Sequence, residues 1–399
     1  MPKLAILETH PVQYHAPVYR CLAQQFGVDV TVVYGSDFSI AGYRDAEFGA
    51  SFAWDTDLLG GVKSRFLSHV VDGGAGNYDQ VTATGLTTAL EAIAPDAVMA
   101  LGYSHPFDRA VLRWARQQQK PLLFRGETSD HALKRGPLKG RLRDLVLRRL
   151  YRRCAALLYV GQRSRAHYQR LGVPDERLFS SPYCVNSATF RCSTEDRAAL
   201  RGPARRQLGI AEDAIVILFS GKLSERKGVD LLPQAVRLLP PSLQQQAHLL
   251  FLGDGALREP LTIQCQSGTP LAASFPGFQN QSALSAFYHA ADLLVLPSRE
   301  KETWGLVVNE AMLHGLPCVV TEAVGSQPDL VIPGETGAVC ESGSASSLAQ
   351  ALARVMTGTQ DGIFAAACRA RVDGYSVRAA AEGIFQAWRS LQRVPGTGF

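Results

Sequence analysis

Short apolar runs of strand length recur along the whole chain and alternate with helical patterns. These runs lack regular polar alternation, and strands of that kind are buried on both faces, as in parallel sheets covered by helices. A chain of 399 residues is also long for a single core. We therefore predict the α/β class, with two Rossmann-like, doubly wound domains that face each other across a cleft. The runs occupy residues 3–8, 28–35, 97–102, 121–127, 155–161, 215–221, 247–255, 273–278, 293–298 and 317–322.

The predicted domain boundary lies in a polar stretch, residues 181–202, where no periodic pattern is visible. The N-terminal domain is expected over residues 1–190 and the C-terminal domain over residues 191–375. Residues 376–399 include an amphipathic helix that follows the last strand, and we expect it to pack back towards the N-terminal domain. In open parallel sheets, ligands bind beyond the carboxyl ends of the strands, so the cleft between the domains is the expected active site.

Composition narrows the class of protein. Hydrophobic residues make up 46% of the chain and charged residues 19%, which is typical of a folded globular protein and not of a disordered one. The apolar runs are too short to cross a bilayer, and the N-terminus lacks the pattern of a signal peptide. The eight cysteines are scattered without a C-x-x-C pair. We therefore expect reduced thiols in a cytoplasmic protein.

The loop "FSGKLSERKGVD" (219–230) follows an apolar run and carries Gly221, Lys222 and Lys227. Glycine allows close backbone approach, and two cations near the start of a helix suit a diphosphate. A solvated basic turn explains this stretch about as well.

The stretch "EKETWGLVVNEAMLHG" (300–315) places several carboxylates where a strand hands over to a helix. We expect Glu302 on the loop and Glu310 in the second helical turn. Carboxylates accept hydrogen bonds from vicinal hydroxyls, and backbone N–H groups near Gly305 suit a phosphate. Ribose, diphosphate and sugar occur in this order in a nucleotide-sugar. The alternative is acidic residues that stabilise a helix N-terminus.

The second half resembles the retaining GT-B glycosyltransferases of family 4. The stretches "SGKLSERKG", "GDGALRE", "FPGF", "LLVLPSREKETWGLVVNEAMLHGLPCVVTEAVGSQPDLV" and "PGETGAVC" occur in the order and at the spacing of that family, including two glutamates separated by seven residues. Lysine at 222 and tryptophan at 304 depart from its usual arginine and phenylalanine. The resemblance implies a donor site made of Gly221, Lys222, Lys227, Gly277, Phe278, Glu302, Thr303, Trp304, Gly305, Leu306 and Glu310.

Within that implied site, each group has a role. Lys222 and Lys227 would hold the donor diphosphate, and Glu310 would take the ribose hydroxyls. Glu302 would take the hydroxyls of the transferred sugar and, with the two lysines, act in catalysis. Gly277 and Phe278 would border the base.

The N-terminal half resembles bacterial family members linked to surface-polysaccharide assembly. "THPVQYHAP" replaces the family's glycine-rich loop after the first strand, and Arg125 and Glu127 stand near the place where the family often has a histidine. We expect the acceptor side of the cleft to involve these residues, and we favour His10 over His15 as a catalytic group. The acceptor and cleft candidates are His10, Gln13, His105, Arg125 and Glu127.

The predicted function is transfer of a sugar from a nucleotide-diphosphate sugar to a saccharide or lipid-linked saccharide, with retention. No cofactor and no metal are expected, because the lysines supply the counter-charge; we interpret the D-x-D at Asp55–Asp57 as surface carboxylates. Two alternatives remain open: a nucleotide-sugar epimerase or hydrolase of the same fold, and a catalytically silent nucleotide-binding scaffold. Donor turnover with and without acceptor distinguishes the three.

A basic segment is the strongest anomaly in a chain whose net charge is only +5. From Lys134 to Arg170 there are twelve Lys or Arg residues and one acid, Asp144. Leucines at 142, 145, 147 and 150 interleave with the arginines, as in an interfacial helix. We predict peripheral binding of segment 134–153 to an anionic membrane, on its inner face. The alternative is a solvated helix whose leucines pack on the sheet; nucleic acid is not expected, because no recognition motif is present.

Overall fold

The computed structural model describes residues 2–45, 50–52, 56–130, 136–359 and 363–391. Strands and helices alternate along this part of the chain. The strands are β1 (Lys3–Glu8), β2 (Asp29–Tyr34), β3 (Tyr43–Asp45), β4 (Ala50–Phe52), β5 (Lys63–Phe66), β6 (Ala97–Ala100), β7 (Leu122–Gly126), β8 (Ala156–Tyr159), β9 (Leu178–Ser180), β10 (Ile215–Ser220), β11 (Ala247–Leu252), β12 (Ala272–Gly277), β13 (Leu293–Leu296), β14 (Cys318–Thr321) and β15 (Gly337–Cys340).

The helices cover both faces of the sheets that these strands form. They are α1 (Ala16–Phe26), α2 (Phe38–Ala41), α3 (Leu86–Ile93), α4 (Pro106–Gln117), α5 (Pro137–Arg153), α6 (Gln162–Arg170), α7 (Thr194–Gln207), α8 (Leu231–Arg237), α9 (Pro241–Gln246), α10 (Arg258–Gln266), α11 (Leu284–Ala290), α12 (Val307–Leu313), α13 (Gln327–Leu330), α14 (Ala345–Thr359), α15 (Phe364–Asp373) and α16 (Val377–Leu391).

Two parallel sheets organise the chain, as predicted. The N-terminal sheet has the order β5-β2-β1-β6-β7-β8-β9 and the C-terminal sheet the order β12-β11-β10-β13-β14-β15. In each sheet the strand order reverses beside the first strand, between β1 and β6 and between β10 and β13. These switch points are where open α/β sheets bind ligands at the carboxyl ends of their strands. The α/β fold with two Rossmann-like domains is therefore confirmed.

Each of the ten predicted apolar runs contains a strand, but β5, β9, β15 and the antiparallel pair β3–β4 were not predicted. β5 reads "KSRF" and alternates between exposed and half-buried residues, because it lies at the edge of its sheet. An edge strand needs no continuous apolar run, so the pattern that identified the central strands does not identify it.

The C-terminal helix α16 contributes to the core of the N-terminal domain. Its buried side chains, among them Ile384 and Trp388, share a cluster with residues of α1, β1 and β2. A Cβ on Gly383 would lie 1.6 Å from the carbonyl oxygen of Ser180, so the helix can approach β9 closely only with glycine there. Residues 392–399 of this predicted segment lie outside the described residues.

The eight cysteines are unpaired, and seven of them are buried. Within the described ranges, no helix combines the length and the apolar character that a bilayer-spanning segment requires.

Candidate active site

Glu302 lies on the loop after β13, where it meets the loop that follows β10. Its Oε2 accepts hydrogen bonds from Lys227 Nζ at 2.5 Å and from Ser298 Oγ at 2.9 Å. Glu302 is only 8% exposed. The ion pair between the buried Glu302 and the half-buried Lys227 joins the two loops at the switch point of the C-terminal sheet.

Glu310 projects from α12 and is also buried. Tyr288 Oη donates a hydrogen bond to its Oε2 at 2.6 Å. Burial raises the pKa of Glu310 to about 7, and the hydrogen bond from Tyr288 opposes that rise only in part. The carboxylate therefore needs further hydrogen-bond donors to be stable as an anion, and sugar hydroxyls are donors of that kind.

These groups surround one cavity of about 190 Å³ at the cleft. Gln13 and Tyr14 come from the N-terminal domain, so both domains build the cavity. Within the part of the chain that the structure describes, the Oε1 atom of Gln13 is buried and accepts no hydrogen bond. The lining residues are Gln13, Tyr14, Val185, Asn186, Lys227, Gln281, Glu302, Gly305, Leu306, Val307 and Glu310.

Two glycines let the surrounding loops approach each other. Gly305 has φ +92°, and a Cβ there would lie 2.7 Å from Leu296 Cδ2. Gly253 has φ +134°, and a Cβ there would lie 2.0 Å from the carbonyl oxygen of Gly221. Positive φ and missing space together require glycine at both positions.

The remaining donor residues implied by the sequence lie along the same sheet edge. Gly277 accepts a hydrogen bond from the backbone N–H of Gly253 at 3.0 Å, so the ends of β11 and β12 are joined there. Phe278 follows Gly277, and Lys222 follows Gly221; both side chains are half-buried. The structure thus brings Gly221, Lys222, Gly277 and Phe278 to the loops beside the cavity.

The side chains of Trp304 and Thr303 lie towards the N-terminal domain, and the assignment of both residues to the donor site stays a prediction. The indole N–H of Trp304 donates to Asn309 Oδ1 at 2.8 Å, and its ring lies 5.8 Å from that of Tyr183. Thr303 Oγ1 donates to Glu127 Oε2 at 3.0 Å. Both side chains contact residues of the first 190 positions instead of lining the donor cavity. They join the two domains, and only their backbone lies near the donor site.

A second cavity, of about 170 Å³, lies at the carboxyl ends of the N-terminal strands. It contains a buried chain of polar groups in which His15 Nδ1 contacts Glu8 Oε1 and Arg125 Nη1 lies 3.2 Å from His15 Nε2. Arginine has no acceptor, so Nε2 accepts and Nδ1 carries the proton that points to Glu8. This network of Glu8, His15 and Arg125 is the polar floor of the second cavity.

Arg125 connects that floor to the segment between the domains. Its Nε donates to Ser181 Oγ at 3.0 Å, and its Nη2 donates to the carbonyl oxygens of Ser181 and Pro182 at 3.2 and 3.3 Å. Tyr183 Oη then donates to Glu127 Oε2 at 2.9 Å, the atom that also accepts from Thr303. Arg125 therefore fixes the position of the segment between the domains. Glu127 contacts both domains at the edge of the cleft.

The two histidine candidates form no described hydrogen bond to this network, although both rings contact Tyr78, which lines the second cavity. His10 Nδ1 lies 2.9 Å from Thr9 Oγ1, its ring centroid is 4.5 Å from that of Phe38, and burial lowers its pKa. Neither described cavity at the cleft is lined by His10. His105 is the N-cap of α4, where its Nδ1 accepts from the backbone N–H of Phe107 at 3.2 Å. His15 lines the second cavity, whereas a catalytic role of His10 stays a prediction.

Sequence reasoning missed Glu8, Tyr14, Tyr183 and Tyr288 as site residues. One signal was available, because Glu8 is a charged residue that follows four apolar residues at the carboxyl end of β1. The tyrosines carry no comparable signal, since a tyrosine in an apolar run is ordinary core composition.

The D-x-D motif lies partly outside the described residues, which do not include Asp55. Asp57 is exposed, and its Oδ1 accepts from the backbone N–H groups of Leu59 and Gly60 at 3.0 and 2.8 Å. These two hydrogen bonds lower the pKa of Asp57. Its carboxylate therefore stabilises a surface turn.

With this geometry established, comparison with known proteins identifies the family. The family model described as "Glycosyl transferases group 1" matches residues 201–369, and the model described as "Glycosyl transferase 4-like domain" matches residues 11–184. The chain belongs to the group 1 glycosyl transferases. The family predicted from the motifs is confirmed, and the two matches divide this glycosyl transferase near the polar stretch 181–202.

Curated relatives match parts of this glycosyl transferase. The D-inositol 3-phosphate glycosyltransferase of Actinosynnema mirum is 35% identical over 164 residues, which are 39% of this chain and 39% of the relative. The lipopolysaccharide 1,2-N-acetylglucosaminetransferase of Salmonella typhimurium is 31% identical over 192 residues, 46% of this chain and 48% of the relative. The chain therefore covers less than half the length of either relative.

Solved structures extend the comparison to the whole fold. A crystal structure of HepE from Anabaena in complex with UDP and glucose has a TM-score of 0.69 and 19% sequence identity. The alignment covers 98% of this chain and 100% of that protein. At this identity the match shows the fold, which is GT-B: two Rossmann-like domains with a cleft between them.

Proposed function

We propose that this group 1 glycosyl transferase moves a sugar from a nucleoside-diphosphate sugar to a saccharide or lipid-linked saccharide, with retention of anomeric configuration. One observation carries the proposal: Lys227, Glu302 and Glu310 surround a single cavity at the switch point of the C-terminal sheet. A cation for a diphosphate and two carboxylates for hydroxyls are the groups that a nucleotide-sugar requires. The lipopolysaccharide activity named for the Salmonella relative supports an acceptor of the surface-polysaccharide class.

In this proposal Lys227, with Lys222 on the same loop, neutralises the donor diphosphate. Glu310 accepts hydrogen bonds from the ribose, whose hydroxyls supply donors to a carboxylate whose pKa is raised to about 7 by burial. The described hydrogen bonds of the Glu302 side chain all involve Oε2, so Oε1 is the atom proposed to accept from a hydroxyl of the transferred sugar. The departing diphosphate assists the acceptor, and the protein contributes orientation and stabilisation of charge.

The proposal is tested by incubating the protein with a panel of nucleoside-diphosphate sugars, with and without lipid and saccharide extracts. We expect release of nucleoside diphosphate that depends on an acceptor, and a product with the anomeric configuration of the donor, observable by NMR. Turnover without any acceptor would instead indicate a hydrolase or epimerase. Binding of nucleotide without turnover of any donor would indicate a silent scaffold.

We further expect transfer to continue in excess EDTA, because Lys222 and Lys227 supply the counter-charge that a divalent cation supplies in other nucleotide-sugar sites. The rate should stay within about twofold of the untreated enzyme, an estimate that follows from counter-charge supplied by fixed side chains. Complete loss of activity that manganese restores would contradict the metal-independent mechanism and would implicate the D-x-D motif.

Helix α5 supports a place on the inner face of an anionic membrane. The side chains of Leu138, Leu142, Leu145 and Val146 are between 55% and 80% exposed. They recur at helical spacing, so they form one stripe, here named the outer face of α5. Leu147 is fully buried and Leu150 packs on the N-terminal core, so only part of the leucine pattern serves the core. Residues 134 and 135 of the predicted segment lie outside the described residues.

Replacing Arg148, Arg149, Arg152 and Arg153 together by glutamine should release the protein from vesicles of anionic phospholipid. Each basic residue near such a surface contributes about 1 kcal/mol to the free energy of membrane binding. The partition coefficient of the protein between vesicles and water should therefore fall by about a hundredfold or more. Vesicle sedimentation measures this loss, and circular dichroism checks that the fold is kept. If the unmodified protein does not bind these vesicles at physiological salt, membrane association through α5 is excluded.

A further inference from the structure

A groove of about 690 Å³ lies between α4 and α5, on the outside of the N-terminal domain. Its volume is within the range of small-molecule sites. The floor of the groove is apolar and its rim is basic. The apolar lining residues are Leu112, Ala115, Leu122, Val146 and Leu150, and the basic ones are Arg109, Arg113, Arg116, Lys120, Arg149 and Arg153.

Within the described chain, the charge of the rim is offset at Arg109 by its sequence neighbour Asp108, which interacts with it electrostatically without forming an ion pair. No aspartate or glutamate is among the described residues that line the groove, and none of its six cations forms an ion pair within the described chain. The nearby Arg170 differs, because it bonds to both Asp130 and Asp144. Six like charges around an apolar floor repel one another, and they are best neutralised by an anion that carries an apolar chain.

The groove also has a defined position relative to the cleft. Tyr103 and Arg109 line one end of it, and their chain neighbours Gly102 and Asp108 line the second cavity, at the carboxyl ends of the N-terminal strands. From Arg109 the rim continues along α4 to Arg116, roughly 10 Å at the rise of an α-helix. Val146 belongs both to the groove and to the outer face of α5. The groove therefore connects the proposed membrane face with the acceptor side of the cleft.

We propose that this groove binds the phosphate end and the first part of the chain of a lipid that carries the acceptor saccharide. The inference rests on the proposed transfer to a lipid-linked acceptor and specifies where its lipid lies. The rim arginines hold the phosphate, the apolar floor covers the chain, and the saccharide extends into the second cavity. Helix α5 thus has two separate roles, a general one at the membrane surface and a specific one at the groove.

Two double variants of α5 separate these roles. Arg149→Gln/Arg153→Gln removes two cations from the groove, whereas Arg148→Gln/Arg152→Gln removes two exposed cations of the same helix that do not line it. Dodecyl phosphate below its micellar concentration is the probe, titrated into the full-length protein by calorimetry. We expect the groove variant to bind it at least tenfold more weakly, from two lost charge-assisted contacts, and the control variant to stay within about threefold.

Three outcomes would overturn the site. If both variants bind dodecyl phosphate equally weakly, binding depends on diffuse surface charge and not on the groove. If inorganic phosphate binds as tightly as dodecyl phosphate, the groove is an anion site that does not recognise a lipid chain. Equally tight binding of dodecyl maltoside would show that the phosphate plays no part.

The assignment to the acceptor is tested with a membrane-lipid extract as the acceptor source. Both variants lose two cations at the membrane surface, so the comparison between them cancels that shared effect. Donor consumption should fall further in the groove variant than in the control variant, by about the ratio of their dodecyl phosphate affinities. Equal rates in the two variants would overturn the carrier assignment. Affinity for bare nucleoside diphosphate, measured on the same proteins, reports separately on the donor site. If no protein turns over a donor but dodecyl phosphate still binds, the proposed function is contradicted and the lipid site is not.

Discussion

Replacing Glu302 by glutamine is expected to lower kcat by about 100-fold or more while the affinity for bare nucleoside diphosphate stays within about threefold. Glutamine keeps the shape of the side chain, but it removes the negative charge that the proposed function assigns to the transferred sugar, where positive charge develops. Lys227 loses its buried partner in this variant and remains available to the diphosphate. The loss should therefore appear in kcat and not in nucleotide binding.

Glu310→Gln should behave differently, because Glu310 is assigned to the ribose, which substrate and product share. Loss of charge-assisted hydrogen bonds of roughly 1.5–3 kcal/mol predicts about 10- to 100-fold weaker binding of the nucleoside diphosphate and a raised KM. Calorimetry with the bare nucleoside diphosphate on both variants decides between the roles. Glu300→Gln is the matched control, since Glu300 lies on the same loop and its carboxylate is exposed and paired with Lys301.

Two results would contradict this division of labour. Equal weakening of nucleotide binding in the Glu302 and Glu310 variants would mean that the carboxylates act on the same part of the donor. Unchanged binding and unchanged kcat in both would mean that they only stabilise the start of α12.

The second large effect is expected in the N-terminal domain. Arg125→Met should destabilise the protein by about 3–5 kcal/mol, because it removes the cation from the buried network and leaves the charge of Glu8 uncompensated. The carbonyl oxygens of Ser181 and Pro182 also lose their donor. The free energy of unfolding, measured by urea titration, should show this loss.

A second substitution distinguishes the electrostatic cause from lost packing. Adding Glu8→Gln to Arg125→Met removes the uncompensated charge, so part of the stability should return. Arg165→Met serves as a control, because Arg165 pairs with Asp175 on the surface and should change stability little. If the double variant is no more stable than Arg125→Met alone, the network does not act as an electrostatic unit.

The central strands were predictable because their signal is local. In the run 215–221, residues 215–219 are apolar at every position, and only a strand covered on both faces accommodates that pattern in a short element. The edge strand β5 was missed for the same reason, since "KSRF" has one side open to solvent and needs no such run.

The clustering of Lys227, Glu302 and Glu310 at one cavity was also predictable. Lys227, Glu302 and Glu310 each follow or lie shortly after a strand of one sheet, so the α/β topology alone brings them to one edge. The side-chain directions were not predictable: Trp304 turns towards Tyr183, because a large indole is best buried where the two domains meet.

The second cavity, in contrast, depended on tertiary structure. His15 and Arg125 are 110 residues apart in sequence and become neighbours only when β1 and β7 take their places in the sheet. His10 and His15 occupy the same loop, and no local pattern shows which of them faces the cleft. That choice is made by packing, which turns His10 towards Phe38 and stacks His15 on Tyr183.

Helix α5 shows that the sequence of a single element determines its type but not which of its side chains are buried. The sequence by itself determined that α5 would be helical, amphipathic and rich in arginine. Only the tertiary structure decided that Leu147 is buried whereas Leu142 is 65% exposed, because the sheet covers one face of the helix and nothing in the described chain covers the other. It also decided that Arg149 and Arg153 meet the cations of α4 across a groove, since a contact between two helices depends on how both pack on the same sheet.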